Sequence, residues 1–98
     1  MSKPRPVLPG KTYLITRRCT QRQFLLTPSE AINQIILYLV AVAASRKWIA
    51  VHAVCVMGNH LHMVITDTRA EVSEYCRWLM EFIAKCVNAH RGRWEALF

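Results

Sequence analysis

Residues 48–66 read WIAVHAVCVM-GN-HLHMVIT and predict two antiparallel strands joined by a tight turn. The first run is apolar almost throughout, which indicates a strand that is covered on both faces and central in its sheet. Gly58-Asn59 is typical of a two-residue hairpin turn. Leu61, Met63 and Ile65 share one face of the second strand, and we expect that face to lie against the core.

The flanking segments predict one more strand and two helices. Residues 11–18 (KTYLITRR) have the composition of a first strand. The pattern from Thr27 to Glu30 predicts a helix start capped by Thr27, and the helix should run to about residue 46. A second capping pattern covers residues 68–71, with Asp67 as a competing cap, and begins a helix that ends near residue 88.

The predicted order of elements is strand, helix, strand, strand, helix. It indicates an α+β fold of the ferredoxin-like split βαβ type: an antiparallel sheet with two helices on one face, its final strand missing. We expect one incomplete domain over residues 11–98, preceded by a flexible basic arm over residues 1–10 that holds three prolines. An uncovered sheet edge favours pairing with a second copy, so we expect a homodimer.

The composition narrows the class of partner. The chain has 13 basic and 6 acidic residues and a net charge of +7, which favours a polyanion such as nucleic acid. Its four cysteines form no C-x-x-C pair, and residues 1–10 contain no signal-peptide pattern. The longest apolar run, residues 35–44, is too short to cross a membrane. We therefore expect a cytoplasmic protein that does not interact with membranes.

His60 and His62 are the candidate metal ligands. Side chains two positions apart on a strand point to the same face, so the two imidazoles can bind one divalent ion. A bare H-x-H pattern is equally typical of a solvated strand face. Polar groups within an apolar pair of strands, however, usually have a functional role. A strict hairpin turns His52 to the opposite face, whereas a one-residue bulge would bring it to the same face.

The run from Met57 to His62 (MGNHLH) resembles the HUH motif of the single-tyrosine HUH transposases, and of the REP-associated tyrosine transposases in particular. Residues 13–17 (YLITR) resemble the first strand of that family and its arginine. Residues 79–88 resemble the family helix that runs into an asparagine. The resemblance covers nearly the whole chain from Gly10 onward.

The resemblance implies a metal-dependent DNA endonuclease and strand transferase that acts on single-stranded DNA carrying a hairpin. A tyrosine would attack a phosphodiester, while Mg²⁺ or Mn²⁺ at His60 and His62 would polarise the phosphate. In the family that tyrosine lies on a helix after the fourth strand, so we expect it beyond Phe98, together with a third metal ligand. This chain alone is then expected to be inactive.

The remaining aromatic and basic residues have less specific interpretations. Tyr13, Tyr38 and Tyr75 are interpreted as packing residues, with Tyr75 as the alternative nucleophile. Phe24 to Leu26 are expected to anchor a basic loop to the core. The candidate DNA-binding residues are Arg17, Arg18, Arg22, Arg91 and Arg93, of which Arg17 also matches the family pattern.

Two other functions compete with the transposase. One is a truncated module of the same fold that binds nucleic acid and cuts nothing. The other is an RNA-binding ferredoxin-like domain, which would need exposed aromatic residues on the sheet strands, where this sequence has histidines and aliphatic residues.

Overall fold

The computed structural model describes residues 9–98. Its strands are β1 (Lys11–Arg18), β2 (Ile49–Met57) and β3 (His60–Asp67), and its helices are α1 (Glu30–Lys47) and α2 (Val72–Arg91). A single 3₁₀ turn, Thr20–Arg22, follows β1. The predicted order of elements and the α+β class are confirmed. The basic arm predicted over residues 1–10 lies outside the described residues except for its last two positions.

The three strands form one antiparallel sheet in the order β1-β3-β2. Strand β3 lies between β1 and β2, the two strands that α1 connects, which is the split βαβ arrangement. The prediction that β2 is central was therefore wrong. Only one face of β2 is covered, and Ala50, Ala53 and Cys55 on the other face are exposed. The apolar run reflects short side chains that tolerate solvent, not burial on both faces.

The core lies between the sheet and the two helices. Leu61, Met63 and Ile65 are buried, and the alternate residues of β3 are half-buried, as predicted from the spacing. The helices contribute fully buried residues to the same cluster, among them Ile32, Ile36, Tyr75, Leu79 and Ile83. One face of the sheet is thus covered by helices, and the face that carries His60 and His62 is open.

The two helix starts differ in how well the sequence predicted them. Helix α1 begins at Glu30, and its cap is Ser29, whose hydroxyl accepts a hydrogen bond from the Ile32 amide at 3.1 Å. The predicted cap, Thr27, donates its hydroxyl to the Phe24 carbonyl instead.

Helix α2 begins at Val72, and its N-cap residue, Glu71, makes no side-chain capping bond. The competing candidate, Asp67, is fully buried and binds the amides that lead into the helix instead. Its carboxylate accepts hydrogen bonds from the amides of Arg69, Glu71 and Val72 at 3.2, 3.0 and 2.7 Å. Thr68 plays no capping part, because its hydroxyl donates to the carbonyl of Trp48.

Candidate metal centre

His60 and His62 lie side by side on the open face of the sheet, at the end of β3 that follows the hairpin turn. Their ring centroids are 4.6 Å apart, and the ring planes are nearly perpendicular, at 86°. Both residues are half-buried, so each ring still reaches solvent. The register next to the turn is the one that the predicted two-residue turn requires, with Met57 opposite His60 and Cys55 opposite His62.

The two rings are held by hydrogen bonds at Nδ1. His60 Nδ1 lies 2.6 Å from the side-chain oxygen of Asn59. An amide oxygen only accepts, so this contact is a hydrogen bond in the tautomer that carries its proton on Nδ1, and in that tautomer the lone pair is on Nε2. His62 Nδ1 lies 3.0 Å from the Thr16 hydroxyl on β1, which is able to accept in the same way. Histidines that bind metals are commonly oriented by such a bond from the second ring nitrogen.

The turn that carries the pair is fixed by the loop that follows β1. The Cys19 amide donates to the Asn59 carbonyl at 2.8 Å, and the Leu26 amide donates to the Gly58 carbonyl at 2.9 Å. Leu26 is fully buried and anchors this loop. Phe24 does not, because 71% of its surface is exposed, which corrects the expectation that it packs into the core.

His52 is on the open face but far from the pair. A bulge in β2 between Val51 and Ala53 turns it there, and its Nε2 lies 2.7 Å from the hydroxyl of Thr66. Thr66 is four residues beyond His62 on β3, a distance of about 13 Å along a strand. Within residues 9–98 no three His, Cys, Asp or Glu side chains come close enough together to hold a metal ion.

The two histidines nevertheless fit the ion that the HUH resemblance implies. Each has an Nε2 without a hydrogen-bond partner among the described residues, and the open face leaves other positions of an ion to water or phosphate oxygens. Nitrogen ligands bind Mn²⁺ better than Mg²⁺, which prefers oxygen.

No family model and no curated protein matches the sequence. Among solved structures, the fold is similar to a REP-associated tyrosine transposase bound to a REP hairpin, with a TM-score of 0.72 and 19% identity. That match covers 99% of this chain and 56% of the other. A candidate transposase from Deinococcus radiodurans R1 matches over 92% of this chain and 68% of its own length, with a TM-score of 0.69 and 15% identity.

The chain has the fold of these transposases. The likeness in fold that the HUH resemblance implied is therefore confirmed. The chain spans little more than half the length of the REP-associated transposase, so the activity of that whole protein does not transfer with the fold.

The predicted DNA-binding arginines do not form one cluster. Arg17 and Arg18 lie on opposite faces of β1, and the others lie in the loop after β1 and at the end of α2 or just after it. Arg18 lies opposite His60 on the open face and is exposed. Arg17 lies opposite Leu61, on the helix side, where its guanidinium is 5.5 Å from the centre of the Phe98 ring. Arg22 is exposed in the loop that follows β1.

Arg91 and Arg93 form hydrogen bonds with other residues of this chain. Arg91 Nε donates to the carbonyl of Leu25 at 2.7 Å, which ties α2 to the loop. Arg93 donates to the side-chain oxygen of Asn88 at 2.7 Å and also contacts the Ala96 carbonyl. Arg18 is thus the arginine that the sheet register places across from the histidines.

None of the three tyrosines lies beside the histidines. Tyr13 is opposite Ile65 on the helix side, and Tyr75 is fully buried in the core. Burial raises the pKa of the Tyr75 phenol above its usual range, which disfavours the ionised, nucleophilic form. Tyr38 is 68% exposed on the outer surface of α1, so its interpretation as a packing residue was wrong.

Two residues that the sequence did not single out help to build the site. Thr16 orients His62, but only the strand register reveals that it faces that ring. Asn59 orients His60, and its place in the HUH-like run was the available signal.

Neither described helix is long and apolar enough to cross a membrane.

Proposed function

We propose that this chain is the metal- and DNA-binding part of an HUH-type transposase domain. It binds a divalent cation, Mn²⁺ or Mg²⁺, between His60 and His62, and single-stranded DNA that carries a hairpin. The observation that carries the proposal is the pair itself: two imidazoles held at Nδ1 by Asn59 and Thr16, on the open face of a transposase fold. The hairpin bound to the similar transposase supports the class of DNA.

The chain contributes binding and orientation to this function. The bound ion would polarise a phosphate and offset the charge that develops on it during cleavage. His60 and His62 would hold that ion, and the exposed guanidinium of Arg18, opposite His60, would add attraction for the DNA backbone. The net charge of +7 supports the same partner.

A second candidate function is a DNA-binding module of the same fold that cuts nothing. It is favoured by the placement of the tyrosines, since none of the three lies on the open face beside the histidines. Strand cleavage and rejoining would need a tyrosine that these residues do not supply.

We also propose that the protein is a homodimer and that it is cytoplasmic. The four free thiols favour the cytoplasmic location.

Mn²⁺ binding measured by electron paramagnetic resonance tests the metal site. We expect His60→Ala and His62→Ala to lose most of the affinity, whereas His52→Ala keeps it. His52 is the matched control, because it is an exposed histidine of β2 on the same face, where it contacts Thr66 at the far end of β3. Equal Mn²⁺ affinity in wild type and His60→Ala would exclude the metal site.

Two further measurements separate the candidate functions. Fluorescence anisotropy with a labelled hairpin oligonucleotide should show binding that weakens as salt increases. Covalent capture of the same oligonucleotide in Mn²⁺ then decides between them. A stable protein–DNA adduct identifies a strand transferase, and tight binding without an adduct identifies the binding module.

A further inference from the structure

Phe24 places an exposed aromatic ring next to the turn that precedes the histidines. The ring lies against Gly58: a Cβ built on that glycine would be 2.7 Å from Phe24 Cδ1. Gly58 is two residues before His60, so their Cα atoms are within about 7 Å of each other. The ring therefore lies against the turn that leads into His60, although it belongs to the loop after β1.

The backbone on both sides of Phe24 is fixed in place. Leu26 is buried, and its amide donates to the Gly58 carbonyl at 2.9 Å. The carbonyls of Phe24 and Leu25 accept hydrogen bonds from Thr27 Oγ1 at 2.9 Å and from Arg91 Nε at 2.7 Å. A single exposed apolar side chain is ordinary, but one on an anchored loop loses little further freedom when a ligand covers it.

The loop that carries the ring is basic. Arg22 is two residues before Phe24 and is exposed, Arg18 lies opposite His60, and Arg91 binds the adjacent carbonyl. No aspartate or glutamate occurs between Lys11 and Ser29. A flat aromatic face among cations is the combination that binds unpaired nucleotides, because the ring stacks on a base while the cations attract the phosphates.

We propose that Phe24 stacks on an unpaired base next to the phosphate held at His60 and His62. This inference rests on the proposed function, since it requires single-stranded DNA on the open face. Phenylalanine offers no hydrogen bond to a base edge, so Phe24 contributes affinity and positioning without selecting the identity of the base.

The test compares Phe24→Ala and Phe24→Leu with Tyr38→Ala. Tyr38 is a matched control, because it is an exposed aromatic of similar exposure on the outer surface of α1. By anisotropy with the hairpin oligonucleotide, Phe24→Ala should bind roughly five- to 150-fold more weakly, as expected for the loss of one base–aromatic stack. Phe24→Leu should bind nearly as weakly as Phe24→Ala, Phe24→Trp should restore binding, and Tyr38→Ala should bind as wild type does.

Two readouts distinguish stacking from a general loss of structure. The salt dependence of binding should be unchanged in Phe24→Ala, because a stacking contact releases no counterions. An abasic site moved along the single-stranded part of the oligonucleotide should weaken wild-type binding at one position and have no effect there in Phe24→Ala. If Phe24→Ala does not fold, the salt dependence and the abasic-site scan are measured with Phe24→Leu instead.

The outcomes separate this inference from the proposed function. Wild-type protein that binds neither Mn²⁺ nor the hairpin oligonucleotide overturns both. Wild-type protein that binds the oligonucleotide, with Phe24→Ala and Tyr38→Ala binding equally well, overturns the stacking role alone.

Discussion

The imidazole of His62 and the hydroxyl of Thr16 lie 3.0 Å apart, on neighbouring strands of the sheet. The strand register makes them direct partners, and both face away from the helices. The contact joins β1 to the candidate metal centre, although 46 positions separate the two residues in the chain. It also orients the ring, because a bond at Nδ1 leaves Nε2 available to an ion.

Removing the Thr16 hydroxyl should weaken metal binding. We expect Thr16→Val to lower Mn²⁺ affinity roughly 10- to 100-fold, the usual effect of losing a group that orients a metal-binding histidine. Thr12→Val is the matched control: Thr12 lies on the same strand and face, but its hydroxyl contacts Thr66 at 2.8 Å. Both variants are read by Mn²⁺ titration, and equal affinities would show that the hydroxyl does not orient the ring.

The rate at which Cys55 is modified should reveal whether DNA binds at the open face. It is exposed and lies opposite His62, whereas Cys19 is buried and Cys76 is partly buried. Burial raises the pKa of the Cys19 and Cys76 thiols, which lowers their thiolate fraction. Iodoacetamide should therefore modify Cys55 before those two cysteines, as peptide mass spectrometry would measure.

Binding of the hairpin oligonucleotide should slow the modification of Cys55 several-fold. The half-buried Cys86 on α2 is the internal control, because it lies on the helix side and its modification rate should not change. Protection of Cys86 with an unchanged rate at Cys55 would place the DNA on the helices instead of the sheet.

The Asp67 carboxylate should be a large contributor to folding stability. It is fully buried and accepts hydrogen bonds from three backbone amides at the start of α2, the last of them that of Val72, the first residue of the helix. Asp67→Ala should lower the free energy of unfolding by about 2–3 kcal/mol, since hydrogen bonds to a charged group are lost and the amides stay without partners. Urea denaturation followed by circular dichroism measures the change.

Ser29→Ala provides the comparison for Asp67. Ser29 caps α1 through one hydrogen bond, so its loss should cost about 1 kcal/mol. A smaller loss in Asp67→Ala than in Ser29→Ala would contradict the structural role assigned to Asp67.

Tyr75 should make stability depend on alkaline pH. Burial raises the pKa of its phenol above the ordinary value of 10.0, so the unfolded chain ionises first. The free energy of unfolding should therefore decrease as the pH rises above about 10, and the decrease should be smaller in Tyr75→Phe. Urea denaturation at pH 8 to 11 compares the two proteins.

At neutral pH the same variant should be at least as stable as wild type. The Tyr75 hydroxyl is buried and has no hydrogen-bond partner among residues 9–98, so removing it leaves no group unsatisfied. Identical pH profiles for the two proteins above pH 10 would contradict the assignment. Loss of an observed covalent adduct in Tyr75→Phe would instead identify Tyr75 as the nucleophile.

Local sequence features determined the elements and the geometry of the candidate pair. A two-residue turn at Gly58-Asn59 fixes which residues of β2 and β3 face each other, and the strand period of two puts both histidines on one face. Chain-local rules suffice here, because each relationship spans only a few residues. The same strand period predicted that Leu61, Met63 and Ile65 face the core.

Relationships between distant segments were decided only by the tertiary structure. The edge position of β2, the bulge that turns His52, and the opposite faces taken by Arg17 and Arg18 all depend on strand register and on which face the helices cover. The exposure of Phe24 and the contact of Thr16 with His62 belong to the same group. The sequence by itself determined that two histidines share a face, and packing between distant segments decided what holds and surrounds them.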